Sequence, residues 1–179
     1  MKQLFNEKLI SCAENGDLEG IRKIITSNAD VNIKDFSSIY NYSPLMLAAR
    51  GGHTQIVIEL LAAGAEINYK NTQGYTALME ASWFGKADTA MALIQAGADL
   101  DAKNTDGSTS LMEAAKMGHL AIVKDLIEAG ASTKIKNKKG DTCFDLAANA
   151  GIREYFSTML KKRAGIKLVF KNFIRKFKK

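Results

Sequence analysis

Ala49-Arg50-Gly51-Gly52-His53 returns 33 residues later as Ser82-Trp83-Phe84-Gly85-Lys86, then as Ala115-Lys116-Met117-Gly118-His119, and once more as Ala148-Asn149-Ala150-Gly151-Ile152. An earlier copy, Ala13-Glu14-Asn15-Gly16-Asp17, precedes the first of these by 36 residues rather than 33. A second marker keeps the same beat: Asn28-Ala29, Gly64-Ala65, Gly97-Ala98 and Gly130-Ala131. A fixed period in this range marks a stack of repeats, each burying its apolar face only against its neighbours. In such a stack, function usually lies on a surface shared by several repeats and not in one catalytic pocket.

The text between the markers is just as regular. The second copy reads Ser43-Pro44-Leu45-Met46-Leu47-Ala48-Ala49, runs through Ile56-Val57-Ile58-Glu59-Leu60-Leu61 and ends Gly64-Ala65-Glu66-Ile67-Asn68. The third opens Gly74-Tyr75-Thr76-Ala77-Leu78-Met79 and ends Gly97-Ala98-Asp99-Leu100-Asp101; the fourth opens Gly107-Ser108-Thr109-Ser110-Leu111-Met112 and ends Gly130-Ala131-Ser132. Over roughly residues 4–160 the chain resembles the ankyrin-repeat family, whose phrase runs G-x-T-P-L-H-x-A-A-x-x-G-H, then I-V-x-L-L, then G-A-D-x-N. The resemblance implies an all-α solenoid of stacked helix-turn-helix units with finger-like β-turn loops. The expected division is a repeat domain over 1–160, with copies at about 4–35, 42–74, 75–107, 108–140 and 141–160 and an inserted loop at 36–41. A basic amphipathic C-terminal helix over 161–179 is expected to follow.

Local chemistry points the same way. Ser43, Thr76, Thr109 and Thr142 each precede a small-residue run and suit a helix N-cap, where a hydroxyl accepts from free backbone N–H groups. Pro44, the only proline, follows its cap at the first helical position, where a missing N–H costs nothing. Ala48-Ala49, Ala81-Ser82, Ala114-Ala115 and Ala147-Ala148 are small enough for neighbouring helices to approach closely. Gly52, Gly85, Gly118 and Gly151 are expected to end those helices in a left-handed turn. Asn28 stands in for glycine in the first copy as the next best residue at positive φ. A second helix in each copy carries apolar residues at helical spacing, such as Ile56, Val57, Leu60 and Leu61.

Departures from the repeat are informative. The spacing of 36 places three extra residues around 36–41, which lengthens the first finger. The family's histidine is replaced by Met46, Met79 and Met112, which predicts an apolar filler, and by Asp145 in the last copy. That copy decays after Tyr155-Phe156-Ser157-Thr158-Met159-Leu160, as a terminal cap would.

Charge is segregated. Residues 161–179 hold nine Lys or Arg and no acid, whereas the preceding 160 residues carry 16 basic against 19 acidic side chains. The overall +6 is therefore a property of the tail. At helical spacing Ile166, Val169, Phe170, Phe173, Ile174 and Phe177 share one face, and Lys167, Lys171 and Arg175 the other, with Leu168 misplaced. Three roles fit: covering the open end of the last repeat, docking on an anionic membrane surface, or entering a groove on a partner. At about 14 residues such a helix is roughly 21 Å long, too short to span a bilayer. Nucleic acid is not expected, because charge without a reading motif gives only non-specific binding.

The same reading excludes other classes. No run of 18 apolar residues occurs, and Met1–Lys8 breaks its apolar stretch too early for a secretory signal. Cys12 and Cys143 fall four layers apart, too far for a disulfide, so a reducing cytoplasm is the expected location, with membrane association through the tail as the variant. His53 and His119 take the family's structural G-H position and do not form a metal pair. Glu80 and Glu113 are equivalent residues of adjacent copies; a like-charge pair is one reading, a solvated or salt-bridged face the preferred one. No cofactor and no catalytic set is expected, and a monomer is.

By analogy with the family, a partner protein meets the finger tips and the exposed ends of the first helices. Those positions include Tyr40, Tyr42, Lys70, Gln73, Tyr75, Trp83, Phe84, Lys103, Ser108, Lys116, Met117, Lys136 and Asn149. Trp83-Phe84 replaces the Arg50-Gly51 and Lys116-Met117 of the flanking copies, so partial exposure is favoured over packing on neighbouring helices. Large aromatics rimmed by Lys and Arg are typical interface anchors. The expected function is thus a non-enzymatic interaction module, acting as adaptor, scaffold or inhibitor. The alternative is a peripheral membrane recruiter anchored by Ile166, Phe170, Phe173, Phe177, Lys167, Lys171 and Arg175.

Overall fold

A computed structural model describes residues 2–27, 29–35 and 38–161. Its helices come in pairs: α1 (Lys2–Asn15) with α2 (Leu18–Thr26), α3 (Pro44–Gly51) with α4 (Thr54–Ala62), α5 (Ala77–Trp83) with α6 (Ala87–Gln95), and α7 (Ser110–Met117) with α8 (Leu120–Glu128). A further helical segment, α9, occupies 150–161. First helices stack as α1 on α3 on α5 on α7, and second helices as α2 on α4 on α6 on α8, giving two parallel rows. The core runs unbroken between them, through Leu9, Ile21, Leu45, Leu60, Leu78, Leu93, Leu111 and Leu126. Ala48, Ala49, Ala81, Ala114 and Ala115 are fully buried where the first helices meet.

The first turns of α3, α5 and α7 are built by their caps. The side chains of Ser43, Thr76 and Thr109 accept from the backbone N–H of Met46, Met79 and Met112 at 3.3, 3.3 and 3.4 Å. The three methionine side chains themselves are buried as apolar filler. Pro44 sits at the start of α3 as its fixed φ requires. Gly52, Gly85 and Gly118 adopt left-handed φ just past the ends of α3, α5 and α7.

The fifth copy departs from this plan at two expected positions. Residues 143–146 form a turn and not a helix, so Thr142 caps no helix and Ala147-Ala148 lie outside any helix, Ala148 N–H donating to the Ala115 carbonyl of α7. The cause is Asp145, which stands where the other copies have methionine. Its carboxylate accepts from both the N–H and the hydroxyl of Thr142, at 2.8 and 2.6 Å, so a hydroxyl that caps by accepting elsewhere is here a donor. Gly151 is not left-handed; it lies within the first turn of α9. Asn149 Oδ1 accepts from Ile152 N–H at 3.0 Å to start that helix, while its Nδ2 reaches back to the Gly118 carbonyl. The left-handed role expected of Asn28, and all the tail residues from 162 on, lie outside the described residues.

Fingers connect the pairs. Asn71, Asn104 and Asn137 each accept on Oδ1 from the N–H groups two and four residues ahead, at 2.9–3.0 Å. Successive fingers are joined by backbone bonds, Thr72 N–H to Tyr40 O, Thr105 N–H to Gln73 O and Lys138 N–H to Asp106 O. In the longer first finger the Ser38 hydroxyl takes the asparagine's place, accepting from Tyr40 N–H at 3.2 Å, and the loop closes through the Asp35–Tyr42 pair. On the other edge Asn32, Asn68 and Asp101 accept from Glu66, Asp99 and Ser132 N–H, one repeat ahead.

Histidine stitches the layers at a third place. His53 Nε2 lies 3.1 Å from the Glu14 carbonyl and His119 Nε2 3.1 Å from the Trp83 carbonyl, one repeat back in each case. Both are scaffold. Cys12 and Cys143 are buried and unpaired, and burial pushes the Cys143 thiol up to about 11. Among the described residues no cluster of three or more His, Cys, Asp or Glu is placed to hold a metal, and no helix is long and apolar enough to cross a membrane.

Candidate functional site

The end of α5 carries the aromatic pair. Thr76 starts the helix, Leu78 and Met79 point into the core, and Gly85 turns the chain just past Phe84. Trp83 is half-buried and Phe84 is 40% exposed, so the pair is presented at the surface. The cations from the equivalent positions one repeat back and one repeat on close over it. Arg50, in the last turn of α3, places its guanidinium 4.8 Å from the Phe84 ring centre and 5.7 Å from that of Tyr42. Lys116, in the last turn of α7, lies 4.9 Å over the Trp83 ring. Both cations also sit at helix C-termini, where the peptide dipoles favour positive charge.

Tyr42, Arg50, Gln73, Tyr75, Glu80, Trp83 and Phe84 together line a cleft of about 180 Å³. Tyr40 packs edge-on against Tyr42 at 5.9 Å, which extends the aromatic wall toward the first finger. Met117 is exposed beside Lys116. Of the finger-tip positions, Lys70, Lys103 and Lys136 are exposed, whereas Ser108 is buried against Asn104. Ile39, at the tip of the longer finger, is 81% exposed and escaped the sequence reading. Its signal was an apolar residue within an insertion.

The floor of the cleft corrects the reading of the acidic pair. Glu80 and Glu113 are not solvated, and neither is ion-paired among the described residues: they are 4% and 2% exposed. Burial pushes Glu80 up to about 7, with Arg50 opposing and Glu113 reinforcing the shift. Burial also raises Glu113. The two differ in how they are held. Glu113 Oε1 accepts from Asn104 Nδ2 at 3.2 Å and from the Tyr75 hydroxyl at 3.4 Å. The equivalent donors one repeat back, Asn71 Nδ2 and the Tyr42 hydroxyl, make no such bond to Glu80, and Asn71 Nδ2 is buried without a partner among the described residues. The recurrence of Asn71, Asn104 and Asn137 every 33 residues was the missed signal for this network.

Comparison with known proteins gives the family context. A family model described as ankyrin repeats (3 copies) matches residues 9–104 and 90–172. Oxysterol-binding protein-related protein 1 of Homo sapiens is 39% identical over 72 residues, covering 36% of this chain and 8% of that protein. The Mus musculus protein of the same name is 38% identical over 72 residues, with the same coverage. The probable E3 ubiquitin-protein ligase XBOS32 of Oryza sativa subsp. japonica is 39% identical over 69 residues, 38% of this chain and 14% of that protein. The chain thus spans about a tenth of the length of the curated relatives it matches.

Proposed function

The chain belongs to the ankyrin-repeat family, and from that premise we propose that it is a recognition module, its repeat domain over 1–160 gripping one partner protein on the surface centred on Trp83 and Phe84. Ankyrin repeats are in general protein–protein interaction modules. What narrows the reading to one surface is a single observation: among the described residues, the only place where the first-helix ends carry large aromatics is also where two cations are stacked on them. Tyr40, Tyr42, Tyr75, Lys116 and Met117 complete the patch. Large rings lose few rotamers on binding, and held in place by their neighbours they suit the anchoring role. Binding without chemistry, as an adaptor, scaffold or inhibitor, follows from a surface that carries anchors but no nucleophile with its base.

The test is capture of the partner by the whole chain from its native cell. The Trp83→Ala/Phe84→Ala variant is expected to lose at least about 30-fold in affinity, as hot-spot pairs do. Its helical melt should change little, because Phe84 is exposed and Trp83 half-buried. Undiminished capture would remove this surface from the proposal.

A second reading rests on the tail, whose nine basic and no acidic residues over 161–179 suit an anionic membrane surface. In sedimentation with phosphatidylserine-containing vesicles, removal of 164–179 is then expected to abolish binding in low salt. Equal partitioning of the two chains rules the anchor out.

A further inference from the structure

We propose that the cleft between the second and third repeats is a subsite for one basic side chain, a lysine or arginine presented by the partner, with Glu80 as the pairing carboxylate and Tyr42, Tyr75, Trp83 and Phe84 as its walls. The inference rests on the reading that this surface binds a protein. Its occupant is set by three observations that ask for the same chemistry.

First, Glu80 lines the cleft, is 96% buried by its 4% exposure, and accepts no hydrogen bond from any described residue. A carboxylate at the floor of a narrow cleft with no donor from the chain is poorly solvated, and its natural complement is a group that brings both protons and positive charge. Second, the next repeat shows the same site closed. There Asn104 and Tyr75 donate to Glu113 Oε1 from within the chain, its Oε2 staying buried without a partner among the described residues, whereas around Glu80 the corresponding Asn71 and Tyr42 stay unengaged with it. The open copy follows the longer first finger, which carries Tyr42 at its base. Third, the rings already act as cation platforms, since Arg50 lies over Tyr42 and Phe84 and Lys116 over Trp83. These resident cations reach the rings and not the carboxylate: no N···O distance to Glu80 falls within 4.0 Å among the described residues. A space of about 180 Å³ is below the roughly 300 Å³ of a drug-sized ligand pocket and suits a single side chain.

Proton linkage gives the subsite a signature. The charged groups acting on Glu80 are Arg50 from α3 and Glu113 from α7, with the hydroxyls of Tyr42 and Tyr75 alongside and Lys116 beyond Glu113. A basic side chain pairs with the ionised carboxylate only. Affinity therefore rises with pH and levels off above about 7, and falls up to about tenfold per pH unit below it.

Trp83 is the only tryptophan of the chain, so its fluorescence reads the cleft directly. The probes are two end-blocked peptides, Gly-Gly-Lys-Gly-Gly and its norleucine counterpart, which keeps the aliphatic stem and lacks the charge. On the full chain at pH 8 the lysine peptide is expected to saturate the signal at least about tenfold more tightly than the norleucine peptide, and to weaken about tenfold by pH 6. In Glu80→Gln both the preference and the pH dependence should vanish. Equal titration by the two peptides, or no saturable titration by either, overturns the inference. If Trp83→Ala/Phe84→Ala still loses the partner while the peptides titrate equally, the binding surface stands and the basic subsite alone falls.

Discussion

Replacing Glu80 by glutamine is expected to stabilise the protein by about 3 kcal/mol at pH 8 and by almost nothing at pH 4. In the unfolded chain this carboxyl titrates in the ordinary glutamate range, and in the fold it titrates near 7. Between the two values the folded protein holds a proton that the unfolded chain releases, so raising the pH favours unfolding. The stabilising contribution of the neutral acid is complete below the ordinary value and lost as pH rises through about 7. Glutamine has the shape of the neutral acid and no such loss. Burial raises Glu113 in the same sense, so its glutamine variant should show the same sign. Thermal melts of the two chains across pH 4 to 8.5 provide the check, and a difference on the order of 10 °C in melting temperature is expected at the alkaline end. A stability difference that does not vary with pH would mean that Glu80 is not held as a neutral acid.

Gly74→Ala is the second large effect. Gly74 has φ +76°, and a Cβ there would lie 2.9 Å from Asn104 Cα and from Thr105 N, the backbone of the next finger. Backbone cannot swing aside as the end of a side chain can. The left-handed alanine alone costs roughly 1–2 kcal/mol. Separating the fingers enough to admit the methyl also breaks the bond from Thr105 N–H to the Gln73 carbonyl. The sum is about 2–4 kcal/mol. Gly97→Ala is the control. Its φ is +85°, yet nothing lies within 4 Å of the added carbon, so only the conformational cost of roughly 1–2 kcal/mol remains. Equal loss of stability in the two variants, measured by the urea midpoint, would show that finger contact contributes nothing.

These cases mark how far the sequence could be read. Ser43, Thr76 and Thr109 were legible as caps because capping is local: a hydroxyl, a turn and the N–H it reaches lie within four residues. Met46, Met79 and Met112 were legible as filler for a similar reason, since their place in the phrase fixes the helix face. Thr142 was misread because one neighbour, Asp145, reversed the direction of its hydrogen bond. Gly151 was misread because helix α9 starts earlier than its counterparts, on the Asn149 cap. Glu80 and Glu113 failed for a different reason. Residue type argues for water, but their burial is decided by the rings and fingers of adjacent repeats, which periodicity counts and does not measure. The placement of Trp83 and Phe84 at the end of an inner helix was visible from register. The stacking of Arg50 and Lys116 on them was not, although all the residues stand at one repeat position or the next.

The seams between repeats have different characters along their width. At the finger edge they are directional hydrogen bonds, Tyr40 O to Thr72, Gln73 O to Thr105 and Asp106 O to Lys138, and between the helix rows they are apolar contacts without fixed direction. A hydrogen bond weakens steeply once bent, so it fixes direction as well as distance. The molecule is stitched at three places: along the fingers, at the turns carrying Asn32, Asn68 and Asp101, and at His53 and His119. The finger stitches set the spacing of successive finger tips. A partner lying along those tips meets a ruler of fixed pitch.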